Sequence, residues 1–260
     1  ITKTGSSGAV MMSSRNDAYP AYGISKLPEA SSKLEKFPFL SGMTQTMLAQ
    51  QPTLNSFVIA QAGQNHDNVT LTIIFGRHYY AETNHENDVV DHRAIESQEQ
   101  IAAFLNTQKP RLLAIEGFTG DVSAEGMVNT VVTLNTNMAK AFDSPVQPRS
   151  KYVREVNHRL RNYAAYQYAG KHPEVVSVGI ENQSLLEFNG LTTLLLSKYA
   201  EFDHLVAVST QARNEYALAT MLAAIKSKGL TTGTMVVGAD HGPGLVALTK
   251  RWKVKASFYL

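Results

Sequence analysis

Cysteine is absent from all 260 residues. That absence excludes disulfides, thiol nucleophiles and cysteine-ligated zinc, and it leaves the compartment open. Charge of one sign is also lacking. The 24 Lys and Arg nearly cancel the 22 Asp and Glu, so the chain carries no electrostatic footprint for nucleic acid or a membrane surface. No apolar run approaches the roughly 18–20 residues of a membrane span. Residues 1–15 hold no basic stretch followed by an apolar one, and a first residue other than Met is what a trimmed chain would carry. No Gly-x-Ser-x-Gly elbow occurs, which argues against a Ser-His-Asp hydrolase.

What is present is ordinary globular material, with 43% hydrophobic and 18% charged residues, well away from the composition of a disordered chain. Residues 1–50 are rich in Ser, Gly, Thr, Asn and Pro with little periodicity, and they are expected to form an irregular N-terminal extension. From 51 to 260 the pattern becomes regular and reads as one domain. Apolar runs stand at Val69–Phe75, Leu112–Ile115, Val175–Val178, Leu205–Val208 and Met235–Val237. A last run, Val254–Tyr259, alternates and reads as an edge strand. Helical periodicity is clearest over Asn214–Lys228, where Leu218, Met221, Leu222 and Ile225 fall at i, i+3, i+4 and i+7, with Gly229 following as a stop. Ser97–Asn106 and His158–Ala169 are further helix candidates. Alternating strands and helices predict an α/β fold: a mixed, mostly parallel central sheet flanked by helices.

The chemistry gathers at strand ends. The run 69–75 leads into Gly76-Arg77-His78, and the run 112–115 leads into Glu116-Gly117. The run 175–180 leads into Glu181, and the run 235–237 leads into Gly238-Ala239-Asp240-His241-Gly242-Pro243-Gly244. In open α/β sheets the carboxyl ends of parallel strands face the ligand crevice. His78, Glu116, Glu181 and His241 would then project at one edge. Histidines with a carboxylate are the ligand set of a catalytic divalent metal, or an acid–base pair. Glu181 reads equally well as a helix N-cap or dipole partner. Arg213 stands at the start of the periodic helix, the wrong sign for the helix dipole. It is therefore expected to pair with a carboxylate, Glu116 being favoured, or with an anionic group of a substrate.

Other constellations are weaker. His78, His85 and His92 recur every seven residues, but on a straight helix that spacing is a rise of about 10.5 Å, too far for three ligands of one ion. The glycines at 238, 242 and 244 do not match a dinucleotide loop, and the Walker lysine and serine are missing.

Three motifs together resemble the TraB/TIKI, ChaN and erythromycin-esterase superfamily. Val237-Gly238-Ala239-Asp240-His241-Gly242-Pro243-Gly244 is similar to its terminal Val-Gly-Ala-x-His-x-x-Gly turn, and Arg213-Asn214-Glu215-Tyr216-Ala217-Leu218-Ala219 to its Arg-(Asp/Asn)-x-x-(Met/Leu)-Ala helix. Leu113-Ala114-Ile115-Glu116 is similar to its acid-ended strand. Phe75-Gly76-Arg77-His78 is a shortened form of the opening Gly-x-x-His motif, with Arg77 where the family carries glutamate. The resemblance spans roughly residues 69–252. It implies a hydrolase of a peptide or ester bond, acting on a peptide or small-molecule substrate. His78, Glu116 and His241 would serve as metal ligands or as the acid–base set, and Arg213 would orient a carboxylate or stabilise an oxyanion. Because ChaN-like members bind haem, a haem or small-ligand binding protein is the alternative, with a catalytically inactive interaction protein as a third reading.

Overall fold

The computed structural model describes residues 3–4, 23–34, 37, 40–77, 92–143, 162–196 and 199–260. Among them, seven strands form one sheet: β1 (Lys3–Thr4), β2 (Thr70–Gly76), β3 (Leu112–Ile115), β4 (Thr119–Val122), β5 (Val176–Ile180), β6 (Thr232–Gly238) and β7 (Lys255–Tyr259). Their order is β1-β7-β2-β6-β3-β5-β4. The five inner strands run parallel, and the two outermost pair antiparallel. A mixed, mostly parallel sheet flanked by helices is thus what the alternating pattern predicted.

Two helical layers cover this sheet, and strand alternation decides which side chain meets which layer. Leu71, Ile73, Phe75, Leu112, Ala114, Met235 and Val237 belong to one core. Ile74, Leu113, Ile115 and Val236 belong to the other. The first core is closed by α1 (Gly23–Ser32), α2 (Ser41–Ala62), α6 (Gln183–Leu196), α7 (Asp203–Ser227) and α8 (Gly242–Arg251). The second is closed by α3 (His92–Gln108), α4 (Ala124–Asp143) and α5 (Tyr163–Lys171). Because both faces are covered, β2, β3, β5 and β6 read as largely apolar runs rather than alternating ones.

The central element is α7. It packs against α1, α2, α6 and α8 as well as β5 and β6, so it is buried on nearly every side. Leu205, Val208, Ala212, Leu218, Met221 and Ile225 fill its apolar contacts. This corrects two expectations. Leu205–Val208, expected as a strand, lies in the first two turns of α7, because a helix buried all round shows no polar stripe. Arg213 consequently sits mid-helix rather than at a helix start, and the dipole argument for its partner does not apply.

The expected irregular extension is also revised in part. Gly23–Ser32 is helical, with Ile24, Leu27 and Ala30 buried, and α2 begins at Ser41. Its helicity was masked by Pro28 and Pro52, each inside a helix, where proline normally breaks the hydrogen-bond ladder. Glu215 explains how α1 is held. Its Oε1 accepts from Gly23 N at 2.8 Å and its Oε2 from Ile24 N at 3.0 Å, satisfying two orphan donors of the helix end. Gly23 permits this approach, since a Cβ there would lie 2.3 Å from the backbone N of Ala212. Val254–Tyr259, expected at an edge, corresponds to β7, which the two-residue β1 flanks on its outer side.

Candidate functional site

Parallel pairing brings four strand ends to one edge. Gly76 of β2 is level with Gly238 of β6, Ile115 of β3 with Val236 of β6, and Ile115 with Gly179 of β5. The next residues of β3 and β5 are Glu116 and Glu181. Continuing the alternation from Leu112 and Ala114, Glu116 points toward the α7 layer. There it meets side chains from α7 and from the turn after β6.

Every polar atom of Glu116 is engaged. Its main-chain N donates to Val236 O at 3.3 Å, and its main-chain O accepts from Asn162 Nδ2 at 3.2 Å. Oε2 accepts from Gly238 N at 2.6 Å. Oε1 faces two groups at once, Arg213 Nη2 at 3.2 Å and His241 Nε2 at 3.3 Å. The guanidinium of Arg213 is shared more closely with Glu181. Nε donates to Glu181 Oε2 at 3.1 Å, and Nη2 makes a short bond to Glu181 Oε1. Nη1 donates to Asn189 Oδ1 of α6 at 3.1 Å. Arg213 is only 9% exposed, and Glu116, Glu181 and His241 are all buried. Burial by itself would pull the guanidinium below its ordinary value. The Glu181 carboxylate, and after it Glu116, outweigh that and push it higher. Arg213 is a fixed cation between two carboxylates.

His241 is set by the turn after β6. The strand ends at Gly238, residues Ala239–His241 form one turn of 3₁₀ helix, and α8 follows with Pro243 in its first turn, where proline's missing N–H has no helical partner to lose. The imidazole is held inward, with Nδ1 2.5 Å from Asn214 Oδ1. An amide oxygen can only accept, so Nδ1 carries the hydrogen. Nε2 is left facing Glu116.

Glu116, Glu181 and His241 each present a ligand atom, all within 4.8 Å of one another, so this buried group could hold a metal ion. Of the expected residues, the structure brings Glu116, Arg213 and His241 together, and Arg213 is buried and paired. Its bidentate partner, however, is Glu181 rather than the favoured Glu116. His78 lies outside the described residues, as does His85. Glu181 had the same strand-end position as Glu116, the signal that identifies it. Asn214 carries no comparable signal in the sequence and is identified only by its place beside His241.

No family model, no curated protein and no solved structure matches this chain. Functional inference therefore rests on the site's own chemistry. Among the described residues, no helix is long and apolar enough to cross a membrane.

Proposed function

We propose that this protein is a hydrolase of a peptide or ester bond, of the kind the TraB/TIKI resemblance implies, with Glu116, Glu181 and His241 as the holders of a divalent metal. The observation that supports this most is the buried donor set of one imidazole and two carboxylates at the carboxyl ends of parallel strands. The set fits such an ion. Two ligands bonded at about 2.1 Å and subtending a tetrahedral angle stand about 3.4 Å apart, and His241 Nε2 is 3.3 Å from Glu116 Oε1. With His241 neutral, two carboxylates and one guanidinium sum to one negative charge, which favours a cation. When bound, the ion would lower the pKa of a water toward about 7. Four of the five N–H donors of Arg213 go to its two carboxylates and Asn189, so its main role is to hold Glu116 and Glu181 in place. The hydrogen bonds donated by Gly238 N and Arg213 Nη2 fix the direction of the Glu116 carboxylate.

A second reading has its own observation. Arg213 Nη2 already bridges the Oε1 atoms of both glutamates. A proton on Nε2 in place of a metal would make Glu116 and His241 an acid–base pair. Haem fits less well. Nδ1 of His241 is taken by Asn214 and Nε2 lies in a buried site 3.3 Å from Glu116 Oε1, whereas an axial ligand needs one nitrogen open to a broad flat group.

The test is a panel of peptide and ester reporters, assayed with chelated protein and after adding back zinc or manganese. The metal reading predicts turnover restored by the ion and lowered at least about 10²-fold in His241→Ala, the scale for losing an acid–base group or more. Turnover that persists after chelation but falls in His241→Ala would favour the acid–base pair. A folded, metal-supplemented protein with no turnover on any substrate would overturn the hydrolase reading.

A further inference from the structure

The geometry points to Asn214 as the positioning residue of this site: it holds the hydrogen of His241 on Nδ1, so that Nε2 is the atom offered to a cation beside Glu116 and Glu181. This inference rests on the reading of Glu116, Glu181 and His241 as one site, but it can be tested without activity.

Asn214 lies in the middle of α7 and is 0% exposed. It lies next to Arg213, and on a helix successive residues point about 100° apart. One residue therefore reaches the two carboxylates while the next reaches the histidine. Its Oδ1 accepts from His241 Nδ1 at 2.5 Å. Among the described residues its Nδ2 has no hydrogen-bond partner. A buried amide that leaves half its capacity unused is poorly explained as a device for stability alone. Its working half is the oxygen, whose hydrogen bond is to the imidazole.

The opposite wall is α8. A Cβ on Gly244 would lie 2.1 Å from Asn214 Nδ2 and 3.0 Å from Gln211 Oε1. The missing Cβ of Gly244 thus leaves the space the amide nitrogen occupies on one side, while His241 meets the oxygen on the other.

A consequence follows for Nε2. With hydrogen held on Nδ1, a neutral imidazole would turn a lone pair toward Glu116 Oε1 across 3.3 Å. Lone pair against carboxylate is unfavourable. The contact is satisfied only when a positive centre, a proton or a metal, stands between them. Asparagine also suits this better than aspartate, because it fixes the tautomer without adding a third negative charge. Metal-binding histidines commonly donate their other N–H to such an acceptor, and loss of the acceptor weakens metal affinity about 10–100-fold.

The experiment combines imidazole ¹⁵N NMR with zinc titration on the whole chain, using zinc itself as probe. In the wild type, His241 should show a protonated Nδ1 both without zinc and with it. Asn214→Leu, close in shape but without the acceptor, should lose that Nδ1 signature and bind zinc about 10–100-fold more weakly. Asn214→Asp should restore the protonated Nδ1. A wild-type His241 with bare Nδ1 would overturn the proposal, as would an Asn214→Leu protein with unchanged ring resonances. Should Asn214→Leu fail to fold, the wild-type resonance and the Asn214→Asp variant still decide. Failure of the wild type to bind zinc while Nδ1 remains protonated would count against the metal reading and leave the positioning role of Asn214 standing.

Discussion

Removing the Arg213 side chain should destabilise the protein sharply, and the amount can be worked from its contacts. Arg213 donates to Glu181 twice, to Glu116 once and to Asn189 once. Its two carboxylate partners are each less than a tenth exposed at the side chain. Arg213→Ala therefore leaves buried negative charge with no cation, which costs about 3–5 kcal/mol. At roughly 2–4 °C per kcal/mol for a chain of this size, Tm should fall by roughly 6–20 °C. Arg213→Lys should recover only part of this, because an ammonium cannot form the fork that meets Glu181 through two nitrogens. In a Glu181→Gln background the same Arg213→Ala change should cost less, by about 0.5–3 kcal/mol, because one orphaned charge is gone. Thermal melts followed by circular dichroism on Arg213→Lys and the four proteins of the cycle measure all of this. A Tm unchanged within about 2 °C in Arg213→Ala would refute the claim that this guanidinium holds the two glutamates in place.

Two further predictions concern the docking of α1 on α7. Burial, the largest influence, raises the Glu215 carboxyl above its ordinary value of 4.5, against the smaller lowering effects of the Ile24 and Gly23 N–H groups, Gln211 and Arg251. A group raised on folding contributes stability that is complete below its unfolded value and is lost as pH rises through the folded one. From about pH 4.5 upward, wild type should therefore lose stability relative to Glu215→Gln. A difference in Tm between the two that stays constant from pH 4 to pH 8 would contradict this. Gly23→Ala should cost about 1–3 kcal/mol, as overpacking does, since its Cβ would meet the Ala212 and Gln211 backbone at 2.3 and 2.6 Å. An unaltered urea midpoint would show that α1 does not seat as described.

Much of the sheet was legible because its inner strands are covered on both faces. Val69–Phe75, Leu112–Ile115 and Met235–Val237 therefore announce themselves as largely apolar runs, each ended by a glycine or a glutamate that marks the strand end. The same physics misleads at Leu205–Val208, where a helix buried on all sides also lacks a polar stripe. β4 escaped because Thr119-Gly-Asp-Val is short and mostly exposed, with no apolar pattern to read. At the site, Glu116 and His241 were found by position alone. The preference of Arg213 for Glu181 was not, since the choice depends on where α7 lies across the sheet. Asn214 and Asn189 gave no signal of their own. An asparagine becomes informative only when its neighbours in space are known, as Asn214 does beside His241.

The account turns on Glu116, Glu181 and His241 forming one cation site, and metal binding tests this most directly. Equilibrium dialysis of chelated protein against zinc and against manganese, with elemental analysis, should give about one ion per wild-type chain. Glu181→Gln and His241→Ala, each verified as folded by its melt, should retain much less than one. Equal metal uptake by wild type and both variants, or none by a folded wild type, would contradict the assignment.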